Sequence, residues 1–177
     1  MRWLVCVMAA VFVPLGPGSA SAQDAPRTIT QYDREASLQY VAAWENGDHW
    51  GHGVIAHGGY RVWSVWGWQV QGIAEMMVTR FDDFDASFKQ FTLGARVGKL
   101  MWPRIRTFAQ LQGGVQNDGF ENSSNGGVVI PGVGFNYALT GRFDVQVLID
   151  APIAMYDRGT YNQARLGIGV GLPLGRR

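Results

Sequence analysis

Apolar residues recur at every second position through eight stretches of this chain, at about 36–44, 51–62, 65–78, 87–99, 105–117, 127–139, 142–156 and 161–174. A period of two is the spacing of a β-strand with one apolar face. Several stretches reach 12 residues or more, against a mode of about 5–6 for strands in globular proteins. Strands that cross a membrane at a tilt and project beyond it need such length. The connections alternate too. Polar loops (Glu45–Trp50, Thr79–Ala86, Asp118–Gly126, Asp157–Thr160) take turns with short ones at Trp63-Ser64, Leu100–Arg104 and Thr140-Gly141. An even number of strands with long connections at one end and short ones at the other is the layout of an up-and-down transmembrane barrel.

Alternation leaves open which face is inside. In 87–99, Phe91, Leu93, Ala95 and Val97 oppose Gln90, Thr92, Gly94, Arg96 and Gly98; in 142–156, Phe143, Val145, Val147 and Ile149 oppose Asp144, Gln146, Leu148 and Asp150. A lipocalin turns its apolar face inward and a membrane barrel turns it outward. The polar face decides. Its charges are Glu75, Asp144 and Asp150 against Arg96, Arg106 and Arg165, with Arg outnumbering Lys 13 to 2 along the chain. Matched charges suit a closed interior in which each must find a partner, and the planar guanidinium serves several acceptors at once. The expectation is polar-in and apolar-out, with a lumen pair Asp150–Arg165 and with Asp144 and Arg106 near the short-turn end. An eight-stranded interior is just wide enough for side chains to fill. Gln39, Gln69, Gln71, Gln110, Gln112, Asn136, Gln146 and Gln163 are expected to close it, Gly167, Gly169 and Gly171 leaving room for them.

Only 16% of residues are charged, below the roughly 25–35% of an ordinary soluble surface. Fifteen basic residues against 14 acidic ones exclude a nucleic-acid binder by charge. One cysteine excludes a disulfide framework.

The first 22 residues read as a signal peptide. Met1-Arg2 is a positive start, Trp3–Val13 an uncharged apolar run, Pro14–Gly18 a break, and Ala20-Ser21-Ala22 a small-residue site for cleavage before Gln23. The apolar run is too short for an anchor, which needs about 20 residues. Cys6 opens the run rather than closing it, unlike a lipoprotein site. Residues 23–35 read as a polar leader and 36–177 as the barrel domain.

Aromatic residues gather at strand ends: Trp63, Trp66, Trp102, Tyr137 and Phe143 toward the short turns, and Trp44, Trp50, Phe81, Phe84, Phe88 and Tyr156 toward the loops. Two such bands match the interfacial girdles of membrane barrels.

With its signal peptide, the stretch FKQFTLGARVGKLMWPRIRTFAQLQGGVQ (88–116), the stretch GVVIPGVGFNYALTGRFDVQVLIDAPIAMYDRG (127–159) and the closing NQARLGIGVGLPLG (162–175), the chain resembles the small OmpA/OmpX-like outer-membrane β-barrel proteins of Gram-negative bacteria. The resemblance implies an all-β, eight-stranded antiparallel barrel in the outer membrane, with membrane lipid and the barrel-assembly machinery as partners. Such barrels usually end on an aromatic residue; here Leu172 or Leu174 is expected to stand in before Gly175-Arg176-Arg177.

No catalytic, cofactor or metal site is expected. His52 should face outward and His57 inward, so the histidines would not converge as a metal site requires. The loop Arg80–Asp85 lacks the bend and ligand number of a calcium site. Nothing brings Ser123 or Ser124 to His52 with an orienting third group, as a Ser–His enzyme requires. The expected role is structural or interactive through the loops, the loop partner unknown. A periplasmic lipocalin-like carrier of an apolar ligand and a narrow channel are the alternatives.

Overall fold

The computed structural model describes residues 32–45, 49–81, 83, 86–119, 124–140, 142–157 and 159–176. The expected signal peptide and most of the leader lie outside these residues.

The described chain is one sheet of β1 (Tyr32–Glu45), β2 (His49–Val65), β3 (Trp68–Phe81), β4 (Ala86–Trp102), β5 (Ile105–Asn117), β6 (Asn125–Ala138), β7 (Asp144–Asp150), β8 (Ile153–Tyr156) and β9 (Gly159–Arg176). Every pairing is antiparallel. β1 pairs with both β2 and β9, which closes the sheet. β7 and β8 both lie between β6 and β9, so they are two lengths of one strand position. The result is a closed eight-stranded barrel, and closure removes the unpaired edges an open sheet would expose.

The break between β7 and β8 falls at Ala151-Pro152, facing Pro131 of β6, whose carbonyl accepts from the Ala151 amide at 3.0 Å. Neither proline has an N–H to give the ladder. Two missing donors at one level interrupt the strand without opening the barrel.

Two boundaries differ from the sequence reading. The turn between β2 and β3 is Trp66-Gly67 rather than Trp63-Ser64; both residues have positive φ, 49° and 79°, as a two-residue type I′ hairpin demands. The run Val62-Trp63-Ser64-Val65 keeps a strand-like pattern, so nothing before Gly67 marks a turn. β1 also begins at Tyr32, inside the expected leader, and Arg34 and Glu35 are paired on both sides with β2 and β9.

Burial alternates along most of the strands and breaks down where β2 runs out toward its hairpin. In β3, Gln69, Gln71, Ile73, Glu75, Met77, Thr79 and Phe81 are buried, while Met76, Val78 and Arg80 between them are exposed. Leu93 and Leu111 stand 57% and 58% exposed on the outer face, whereas Arg96 and Arg165 are among the most completely enclosed side chains. This inverts a water-soluble protein, which encloses leucine and exposes arginine. Lumen glycines make the room their neighbours need: a Cβ on Gly134 would lie 2.6 Å from the Phe108 ring, and one on Gly167 2.6 Å from Gln39 Oε1.

Candidate functional site

Among the described residues the interior carries two ion clusters at different heights. In the first, at mid-barrel, β7 and β9 place Asp150 directly opposite Arg165. Arg165 donates through Nε to Asp150 Oδ1 at 2.6 Å and through Nη2 to Oδ2 at 2.8 Å, a bidentate fork. Its Nη2 also lies 3.6 Å from Glu75 Oε1 of β3, and its Nη1 donates to Gln90 Oε1 at 3.2 Å. Glu75 accepts from Gln112 Nε2 at 3.0 Å, and Gln112 accepts from the Thr92 hydroxyl at 2.6 Å. Asp150, Glu75 and Arg165 side chains are all 1% exposed.

The second cluster lies toward the short turns. Arg96 of β4 pairs through Nη1 with Glu35 of β1. Its Nε and Nη2 donate to Gln110 at 3.1 and 2.8 Å, and its guanidinium stacks over the Phe108 ring at 4.0 Å. Glu35 also meets His57 Nε2 at 3.2 Å and accepts from Gln71 at 3.4 Å. Beside it the Gln39 and Gln146 amides meet at 2.7 Å. Arg106 and Asp144 are buried in the same end of the lumen, opposite Asn136 and Ala138 of β6 respectively. The sequence reading missed Glu35, having assigned it to the leader. Its signal was there: Glu35, Ser37 and Gln39 share one parity.

The lumen is not polar along its whole length. Toward the loops, Phe81, Phe88 and Ala43 form one apolar cluster, Val41, Ile55 and Met77 a second, and Val128, Ile130 and Ala154 a third. Phe81 and Phe88 meet edge to face at 5.4 Å inside the barrel; they are lumen residues, not girdle residues. Apolar side chains here seal the ion clusters from the loop end, where Gln116 donates to the Tyr156 hydroxyl at 2.9 Å.

Outside, Trp44 and Trp50 stack edge to face at 4.7 Å near the loops. At the opposite end Trp63, Trp102 and Phe143 are exposed, Tyr137 is half-buried, and Trp66 at the hairpin tip is 92% exposed. Phe84 lies outside the described residues.

The three histidines go separate ways: His49 meets Asp83 at 3.3 Å in the loops, His52 is exposed on the outer face, and His57 is enclosed with Glu35. Ser124 donates its hydroxyl to Asp118 at 2.7 Å, and His52 lies opposite Ala42 and Arg80. Ser123 lies outside the described residues.

No protein family and no curated protein matches the chain by sequence. Solved structures match its shape. Neisserial surface protein A aligns with a TM-score of 0.56 at 15% identity, covering 80% of this chain and 96% of the other. Ail, the attachment invasion locus protein of Yersinia pestis, gives 0.53 at 16%, covering 80% and 100%. The outer membrane enzyme PagL gives 0.62 at 10%, covering 78% and 100%. The strand count, the closure and these three likenesses agree: the fold is that of the small OmpA/OmpX-like outer-membrane β-barrels.

Proposed function

We propose that this chain is an integral outer-membrane protein of a Gram-negative envelope, without catalytic activity, whose plugged barrel holds four loops at the cell surface for a structural or interactive role. The observation that carries the membrane reading is the placement of the two lysines. Both lie on the outer side of β4, Lys89 exposed near the loops and Lys99 half-buried near the turns, with Phe91, Leu93, Ala95 and Val97 between them. Ten residues of strand span about 33 Å. At the usual tilt of about 40° that is about 25 Å of height, the apolar band of an outer-membrane barrel. Lys99 lies 5.2 Å from the Trp68 ring, and Arg34 of β1 stands 5.9 Å over Tyr60, the company a charged group keeps at a membrane interface.

A carrier needs an apolar cavity, and a channel needs open space. This interior is filled by Arg96, Arg165, Gln39, Gln112, Gln116 and Gln146, which argues against both. The test is the gel mobility of the isolated membrane fraction, with and without boiling. Sedimentation with the outer membrane and a mobility change on boiling are expected. A soluble periplasmic protein of single mobility would refute the reading.

A further inference from the structure

Above the apolar layers, the loop-end mouth of the lumen gathers oxygen acceptors from opposite walls of the barrel. On one wall Glu45 of β1 lies directly opposite Gln163 of β9, which donates to its Oε2 at 3.5 Å. On the far wall β5, four strand positions away in either direction round the ring, brings Gln116 and Asp118. The Ser124 amide and hydroxyl hold Asp118 in place at 2.8 and 2.7 Å. Tyr156 reaches between the walls. A Cβ on Gly126 would lie 2.6 Å from its ring, so the bare glycine lets the ring lie across β6 to Gln116, which donates to its hydroxyl at 2.9 Å. Asp118 and Glu45 both act on that hydroxyl through their charge. Two amide oxygens here, Gln163 Oε1 and Gln116 Oε1, have no hydrogen-bond partner among the described residues, although these residues are only 5% and 1% exposed. A buried acceptor left unpaired is costly. The cation that acts on Glu45, His49, is bonded to Asp83 at 3.3 Å.

We propose that this mouth binds an aliphatic diamine or polyamine, with one ammonium at Glu45 and another toward Asp118. The unpaired oxygens and the two acids call for a donor that carries positive charge. An ammonium offers three N–H donors and no acceptor. At Glu45 it makes a charge-assisted hydrogen bond and gives the Gln163 oxygen a partner as well. Acids on opposite walls suit two charges joined by a chain. Between them the floor is apolar: Ala43, Phe81 and Phe88 form one part of it, and Val128, Ile130 and Ala154, against which Tyr156 packs, form the other. A methylene chain fits such a floor, whereas a calcium or magnesium ion needs oxygen on every side. Tyr161, 38% exposed at the rim, meets Tyr156 edge to face at 5.6 Å, and an aromatic face attracts an ammonium beside it. Binding needs only the folded barrel; the membrane reading above adds that the amine arrives from outside the cell.

The test is isothermal titration of the folded full chain in zwitterionic micelles, with cadaverine, pentanediol and calcium chloride as probes. The parent should bind cadaverine, ignore pentanediol, and keep the diamine against millimolar calcium. E45Q should bind cadaverine about tenfold more weakly, the worth of one charge-assisted hydrogen bond. Y161L should lose about threefold; it changes a residue at the exposed rim, so it tests the site even where E45Q does not fold. D157N, which alters an exposed acid at the same end, should bind as the parent does. No binding by the parent, or equal binding by parent, E45Q and Y161L, overturns the site. So does an equal loss in D157N, which would mean attraction by overall charge, and so does displacement by calcium, which would mean a metal site. Boiling-dependent mobility reports the folding of each variant. Failure of the membrane reading is distinct: the parent would then bind the diamine but fractionate as a soluble periplasmic protein.

Discussion

The two ion clusters of the lumen use the same residue types and are closed to different degrees. Arg165 meets Asp150 through a bidentate fork, with Glu75 behind and apolar layers toward the loops. Arg96 meets Glu35 by one nitrogen, and Gln110 and the Phe108 face take up the rest of its guanidinium. Arg165 places two nitrogens on one carboxylate and gives Gln90 a third, so it depends more on its acid than Arg96 does. Arg96 gives its acid one nitrogen and shares the rest between an amide and a ring. The mid-barrel cluster should therefore behave as one unit and the turn-end cluster as several weaker contacts.

The largest effect is expected from Asp150→Ala. It leaves Arg165 enclosed with Glu75 at 3.6 Å as its remaining acid, and breaking such a buried pair costs about 3–5 kcal/mol. Urea unfolding of the refolded barrel in micelles, followed by tryptophan fluorescence, measures it. Glu35→Ala should cost less in the same assay, about 1.5–3 kcal/mol, the value of a hydrogen bond to a charged group. Equal losses would show that the clusters are equivalent and that the fork has no special weight. Replacing both members of the fork, D150L/R165M, should return stability to within about 1 kcal/mol of the parent, because an apolar pair avoids the desolvation cost. If the double variant is as unstable as D150A alone, the mid-barrel cluster is holding strand register and not merely satisfying charge. The smallest effect belongs to His57→Gln, which keeps a donor toward Glu35; a change of no more than about 1 kcal/mol is expected.

This contrast also explains what the sequence made legible. Asp150 and Arg165 sit in regular stretches of adjacent strands, so parity alone suggested their meeting. Glu35 lies where a polar run hides a strand's beginning, since a lumen-facing strand end and a solvated leader have the same composition. The apolar layer was obscured for the opposite reason. Val41, Met77, Phe81 and Phe88 share the parity of the polar residues, and a face judged by its charges is taken as polar along its whole length. The hairpin at Trp66-Gly67 was hidden because a tryptophan in a left-handed conformation is a rare turn residue. Strand number, closure and the orientation of the faces were readable because a period of two repeats over many residues; the partners around each arginine depend on how distant strands meet across the lumen.

The central claim is that the apolar face of β4 lies in lipid between two lysines at its borders. A nitroxide label placed in turn at each position from 89 to 99, with the barrel in lipid vesicles, tests it. Labels at 91, 93, 95 and 97 should collide with dissolved oxygen more than with a water-soluble relaxant, most of all near 93 and 95. That preference should vanish toward 89 and 99, and labels at 92 and 96 should be shielded from both. A label at Leu93 that meets the water-soluble relaxant as readily as one at Lys89 would contradict the account.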